Sequence, residues 1–321
     1  MPVLHSTKNL EVLQAPTAAK EGVGVFEYTD NYTVFHYGRM PDQIPGKGEA
    51  TCKMAVFNFQ LLEEAGVRTH FRRALGPNRI EFTLARLPDP AAGPPTPEAG
   101  SYLLPLQVLF RNELPPGSSV HRRLAAGTLT PAEVGLQAIP AVGEQLEQPV
   151  IEYATTLEPV NRFTTPAEAQ TLSGLGDNEF RAIREITEKA NNVLTAHARS
   201  LGLSHCDGKF EFLMAGDGNL VLADSPGTPD ESRLMFNGVH CGKQALRDWY
   251  VSQGHEIPTG KLIAEGVPRD QWPRPVPLPP AFLPVMSDLY RSLSETWTGQ
   301  HGRSAPGLSA ATQAVADTIS R

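Results

Sequence analysis

A short stretch near position 210 holds the residues best suited to chemistry. In CDGKFEF, the alternation of a β-strand puts Asp207, Lys209 and Glu211 on one face and Phe210 and Phe212 on the other. A glycine turn at Ala215-Gly216-Asp217-Gly218 folds NLVLADS back as the partner strand, which Asp224 ends. A lysine beside carboxylates at the mouth of a hairpin can orient phosphate oxygens. The acids can hold magnesium, which takes few protein carboxylates and fills its shell from the nucleotide and water. The same spacing also describes a solvated face laced with salt bridges, and spacing alone leaves both readings open.

The elements around this hairpin must position it. A chain of 321 residues, 40% of them hydrophobic, can bury a sizeable core in two lobes. VGVFEY and NYTVFHYG alternate around Thr29-Asp30-Asn31 and predict an antiparallel hairpin. Apolar residues from Ala50 to Glu64 recur at helical spacing up to Gly66. RIEFTLARL and YLLPLQVLF read as strands separated by the proline-rich stretch 87–100, with Pro105 suggesting an edge or an irregular hinge in the second. Residues 177–201 form the clearest helix, with Asp177 as its cap, and 242–252 and 280–296 read as further helices. The prolines of 272–280 suit a rigid surface connection and residues 301–321 a loose tail. A sheet-rich front and a mixed back make the fold class α+β, with lobes expected at 1–104 and 105–300.

Composition limits what the site can serve. With 28 Lys and Arg against 35 Asp and Glu, the net charge of −7 offers no general attraction for nucleic acid or an anionic membrane, so an anionic ligand must be gripped locally. Cys52, Cys206 and Cys241 are an odd count without CxxC spacing, which argues against a disulfide framework and a structural zinc and for small reduced core residues. There is no HExxH-type pattern, and His70 reads as a histidine satisfying local backbone groups. MPVLHSTKNLEV lacks the form of a leader, and no run reaches the ~18 apolar residues of a membrane span, so a cytoplasmic enzyme is expected.

The continuation of the hairpin carries a family resemblance. DGKFEF, LVLADSPGTPDESRLMF and CGKQALRDWY together resemble the SAICAR synthetase (phosphoribosylaminoimidazole-succinocarboxamide synthase) family, whose segments run approximately D-x-K-x-E-F-G, L-x-D-E, T-P-D-x-x-R and D-K-Q-x-x-R-D. Asp207, Lys209, Glu211, Asp224, Thr228, Pro229, Asp230, Arg233, Lys243, Gln244, Arg247 and Asp248 match in order. Upstream, IPGKGEATCKMAVFNFQLLEEAGVRTHF, LLPLQVLFRNELPPGSSVHRRL and PVIEY are similar to further family segments. The resemblance spans roughly residues 20–299 in colinear order.

It implies a two-lobed fold related to ATP-grasp, with antiparallel sheets and flanking helices. The implied activity is ATP-dependent carbon–nitrogen ligation: phosphoryl transfer to a carboxylate, then attack of an aspartate amine on the acyl phosphate. Lys209, Glu211 and Asp224 would be catalytic, with magnesium on Glu211 and Asp224. Leu103, Leu104 and Leu106 would form the adenine hinge. Gly22 and Gly24 sit where the family has its phosphate-covering hairpin, and glycine permits the close backbone approach a phosphate requires. Arg111, Ser118 and Arg233 would hold phosphate and carboxylate, joined on the substrate side by Asp42, Lys47, Asp230 and Lys243. The implied partners are ATP, a phosphorylated carboxylic acid and an amino acid; a homo-oligomer is left open. The chain departs from the pattern at Ser225, in place of an acid, at Gln107, in place of a glutamate, and at His36, near a usual aspartate. It also departs around Gly22, where Glu21 and Val23 stand and only Lys20 is basic. These differences keep open a paralogue using another acid or amine, and a module without catalysis. The hairpin is also similar to that of inositol polyphosphate kinases, which keeps open a small-molecule kinase.

Overall fold

The computed structural model describes residues 3–4, 7–35, 37–96, 100–158, 160–300 and 305–320, so His36 lies outside them. The front of the chain forms β1 (Val3–Leu4), β2 (Lys8–Gln14), β3 (Gly22–Tyr28), β4 (Asn31–Thr33) and β5 (Arg39–Gln43). β3 does not make the hairpin predicted across Thr29-Asp30-Asn31. It pairs with β2, and β4 pairs with β5. The cause is Asp30, whose carboxylate accepts from the amides of Gly46 (3.1 Å) and Gly48 (2.9 Å) and so turns the chain onto the start of α1 (Lys47–Glu64). After α1, β6 (Phe71–Gly76) and β7 (Arg79–Leu84) complete an antiparallel sheet of order β1-β2-β3-β7-β6. Helix α1 buries two faces. Cys52, Ala55 and Phe59 pack with Tyr28 and Ile80 of this sheet, while Ala50, Met54 and Leu62 enter the main core.

The second sheet starts with β8 (Tyr102–Glu113). It continues through α2 (Ser119–Ala125), β9 (Gln145–Thr155), β10 (Phe163–Thr164), α3 (Pro166–Ser173), α4 (Asp177–Ser200), β11 (Ser204–Met214), β12 (Leu220–Ala223), β13 (Ser232–Phe236) and β14 (Val239–Cys241). Its order is β10-β9-β8-β11-β13-β14, with β12 also on β11. β8 is therefore internal, not an edge, and it runs through the lobe boundary expected at residue 104. Pro105 is tolerated where the β8–β11 register shifts between Glu211 and Leu213, a place where a missing N–H breaks no ladder bond. Asp177 is the first residue of α4, not its cap, and accepts from Gln170.

Alternation gives the second sheet two unlike faces. Leu104, Leu106, Val108, Phe110, Phe210 and Phe212 join Ile183, Ala190 and Leu194 of α4 in the main core, each large apolar side chain contributing about 1.5–3 kcal/mol by burial. The opposite face carries Arg111, Lys209 and Glu211. The sheets meet at a parallel bridge between Thr69 and Leu222 and where the Leu103 amide donates to the Arg86 carbonyl at 2.8 Å. Helices α5 (Lys243–Ser252), α6 (Thr259–Ala264), α7 (Phe282–Thr298) and α8 (Leu308–Ile319) complete the chain. The expected loose tail is corrected by α8, which buries Leu308, Ala311 and Val315 in the main core. All three cysteines are free and buried, and burial pushes Cys52 and Cys241 up to about 12, so they remain unreactive thiols. Among the described residues no helix is long and apolar enough to cross a membrane.

Candidate active site

The polar face of β11 is the floor of the site. Lys209 Nζ lies 3.0 Å from Glu211, 3.3 Å from Asp224 and 2.9 Å from Glu231. Asp224 directly follows β12 with φ 63°, a left-handed conformation that a non-glycine residue holds only when its surroundings impose it. A second lysine enters from the other sheet. Lys8, on β2, forms an ion pair with Asp224, donates to Ser225 Oγ at 3.2 Å and lies 3.8 Å from Glu231. Its ammonium sits 5.3 Å from the Phe26 ring centre, and the Tyr28 hydroxyl shares a 2.7 Å hydrogen bond with Ser225.

The electrostatics follow from packing these charges together. Burial opposes the charge on Lys209, but Glu211, Glu231 and Asp224 outweigh it and raise its pKa well above the usual range; at Lys8 Asp224 and Glu231 also outweigh burial and raise the pKa. The two carboxylates respond in opposite ways. Burial raises Glu211 despite Lys209, whereas at Asp224 Lys8 and Lys209 outweigh burial and hold the carboxyl below its ordinary value. Glu211 and Asp224 converge on one ammonium, so two hard oxygen donors already face a single cation position, a set that suits magnesium completed by nucleotide oxygens. Among the described residues, no group of three or more His, Cys, Asp and Glu forms a protein-only cage. Gln107, the departure on β8, lies opposite Glu211 in the register.

Next along the same face is a set of cations. Asp207 lies opposite both Arg111 and Arg233 in the register. The Arg111 guanidinium is already engaged by Glu152 (2.7 Å), Asp207 (3.1 Å) and Ser119 Oγ (3.1 Å), and Arg123 also pairs with Glu152. Arg233 approaches Asp207 only at 3.4 Å, and its buried Nη1 makes no hydrogen bond among the described residues. Burial and Arg247 depress Lys243 to about 8, and burial and Arg233 depress Arg247 to about 10. Depressed cations mark positive charge that the protein does not neutralise, the condition an incoming anion relieves.

The other expected residues fall in several places. Ser118 caps α2, accepting from the Val120 amide at 3.3 Å, and the preceding Gly117 lies against Gln244 of α5, so this turn borders the cation set. Lys47 and Asp230 form a buried 2.5 Å ion pair, and the Tyr290 hydroxyl donates to Asp230 at 3.2 Å. Asp42 belongs to the framework: it accepts from the Leu278 amide at 2.7 Å and from Tyr32 at 3.4 Å. Leu104 and Leu106 point into the core, so only Leu103 lies on the inter-sheet side, with Ala85, Leu213, Val221 and Ala223. Gly22 and Gly24 are not in a turn. They lie within β3, where a Cβ on Gly24 would sit 2.6 Å from the Phe82 ring and one on Gly22 2.7 Å from the Pro16 nitrogen. Both are packed against neighbouring atoms, and the ammonium that reaches the carboxylates from this sheet is that of Lys8, on the adjacent β2. His70 is as expected: buried, with Nε2 3.0 Å from the Asp224 carbonyl, and lowered by burial to about 4.

Comparisons with known proteins point to one family. A family model described as SAICAR synthetase matches residues 16–260. A protein of Archaeoglobus fulgidus, described provisionally as a phosphoribosylaminoimidazole-succinocarboxamide synthase, is 35% identical over 95% of this chain and 96% of its own length. The phosphoribosylaminoimidazole-succinocarboxamide synthase of Thermoplasma acidophilum is 30% identical over 86% of this chain and 93% of its own. The solved SAICAR synthase of Saccharomyces cerevisiae complexed with SAICAR shares the fold with a TM-score of 0.67, at 21% identity over 94% of this chain and 95% of that one. A SAICAR synthetase (Type-2) in complex with ADP does so with a TM-score of 0.66, at 22% identity over 94% of this chain and 100% of that one.

Proposed function

The chain belongs to the SAICAR synthetase family, and we propose that it joins the carboxylate of carboxyaminoimidazole ribotide to the amine of L-aspartate at the expense of ATP. A carboxylate resists amide formation because it is anionic and its oxygen leaves poorly. Transfer of the γ-phosphoryl group to that oxygen gives an acyl phosphate; the neutral amine attacks the acyl carbon and phosphate departs with the oxygen. Every component is a small molecule, and the setting is cytoplasmic.

The residues divide the work. Lys209 and Lys8 meet the nucleotide phosphates, and Leu103 with its apolar neighbours lines the space for the base. Glu211 and Asp224 hold magnesium, which when bound offsets the charge on the phosphates. Arg233, Arg247 and Lys243 grip the phosphate and carboxylate of the acid, with the Gly117–Ser118 turn at their border. Arg111 braces Asp207, and the Lys47–Asp230 pair fixes the loop before β13 against α1. Positioning and charge neutralisation carry the acceleration, and no covalent nucleophile is needed.

The observation that carries this reading is the juxtaposition on one sheet face of a lysine–carboxylate centre and a set of under-neutralised cations. Mass spectrometry of products from ATP, carboxyaminoimidazole ribotide and single amino acids tests it. Aspartate-dependent formation of the succinocarboxamide with ADP and phosphate is expected. A stable phosphate ester on a hydroxyl of the substrate, formed without any amine, would overturn it in favour of a kinase.

A further inference from the structure

Glu231 stands at an unspecified position of TPDESR, to which the sequence pattern gives no role, yet it touches both lysines of the site. Its carboxylate is 2.9 Å from Lys209 Nζ and 3.8 Å from Lys8 Nζ, and its side chain is 11% exposed. The backbone fixes it there. The Lys209 amide donates to the Glu231 carbonyl at 3.0 Å, and the Glu231 and Ser232 amides both donate to the Thr228 carbonyl, at 3.0 and 2.8 Å. Its neighbour Asp230 turns the other way, to Lys47. Ser225, where an acid would follow Asp224, is a buried hydroxyl bound by Tyr28 and Lys8. Glu231 therefore adds a negative charge beside the lysines that position 225 does not supply.

We propose that Glu231 is a positioning residue of the magnesium–nucleotide site, holding Lys209 and Lys8 when Glu211 and Asp224 turn to the metal. This rests on the assignment of magnesium to those two carboxylates. Both lysines contact Asp224, and Lys209 also contacts Glu211, so a metal ion must compete with them. Glu231 is the acid that remains to the ammonium groups once the other two are taken. Without its charge the lysines have no third carboxylate among the described residues and keep Glu211 and Asp224 occupied. The reach also suits the role: Lys209 contacts Glu231 more closely than it contacts either carboxylate assigned to the metal.

Titration calorimetry of ADP binding across a magnesium series tests this on the intact protein. Glu231→Gln should raise the magnesium concentration at half-maximal ADP affinity by about 10–100-fold, as loss of an outer partner typically does, without weakening ADP binding measured with no magnesium. Glu231→Asp, which keeps the charge but falls short of the lysines, should lie between the wild type and Glu231→Gln. A folded Glu231→Gln with an unchanged magnesium midpoint overturns the inference. If that variant does not fold, a wild-type midpoint in Glu231→Asp overturns it. Wild-type ADP binding that ignores magnesium would instead sink the metal assignment itself, so the two failures are distinguishable.

Discussion

Lys243→Met should make the unliganded protein more stable near neutral pH while impairing its use of the phosphorylated acid. In the folded chain burial, with Arg247 nearby, lowers the Lys243 pKa from 10.5 to about 8. Below the folded value the side chain is charged in both states, and holding that charge in the fold costs at most about 3 kcal/mol at pH 7. Lys243 is only half-buried, so screening by solvent brings the expected gain for the uncharged, similarly shaped Met to about 1–2 kcal/mol. The sign with pH is fixed. Between the folded and unfolded pKa values the unfolded chain binds more protons, so wild-type stability rises with pH there and the advantage of Lys243→Met shrinks to about a quarter by pH 10. Urea unfolding of both proteins at pH 7 and pH 10 reads this directly. A variant less stable than wild type at pH 7, or an advantage that does not fall with pH, would refute the reading of Lys243 as an under-neutralised cation. The accompanying rise in KM for the acid is the cost of function against stability expected at a binding site.

Three further outcomes follow from the geometry. Asp224→Asn and Glu211→Ala should each abolish turnover yet leave circular dichroism unchanged; Asn tolerates the left-handed backbone at 224, and full activity of either at limiting magnesium would sink the metal assignment. Arg233→Ala should raise KM for the phosphorylated acid by about 10²-fold or more while leaving KM for ATP within a few-fold, because a charge-assisted contact of ~3 kcal/mol is lost on one substrate only; equal effects on both would contradict its placement. Gly24→Ala should cost about 1–3 kcal/mol in thermal or urea unfolding through its clash with Phe82, with KM for ATP unchanged in the folded fraction, and a raised KM for ATP without loss of stability would restore Gly24 to the nucleotide site.

The centre of the site was legible because a strand has period two. CDGKFEF cannot bury both phenylalanines without presenting Asp207, Lys209 and Glu211 together, and the glycine turn returns Asp224 to them. Lys8 was not legible, because its contact with Asp224 spans 216 positions and depends on β2 pairing with β3, which local alternation in KNLEVLQ does not specify. Gly22 and Gly24 were ambiguous for a related reason: the same residue that suits a phosphate turn also suits a strand pressed against Phe82 and Pro16, and local sequence does not separate the two. Asp230 and Glu231 are adjacent acids that local pattern cannot distinguish, yet the turn at Thr228 sends one to Lys47 and the other to Lys209 and Lys8. The C-terminal helix was hidden by its weak stripe of Leu308, Ala311 and Val315, too small to signal burial until α7 and β14 supply the opposing surface.

The central claim is that the acid is activated as an acyl phosphate before the amine attacks. Carboxyaminoimidazole ribotide labelled with ¹⁸O in its carboxylate, incubated with ATP, magnesium and aspartate, tests it through mass spectrometry of the released phosphate. Transfer of one labelled oxygen to phosphate, matched to succinocarboxamide formed, is the expected result. Unlabelled phosphate alongside the amide product would contradict it.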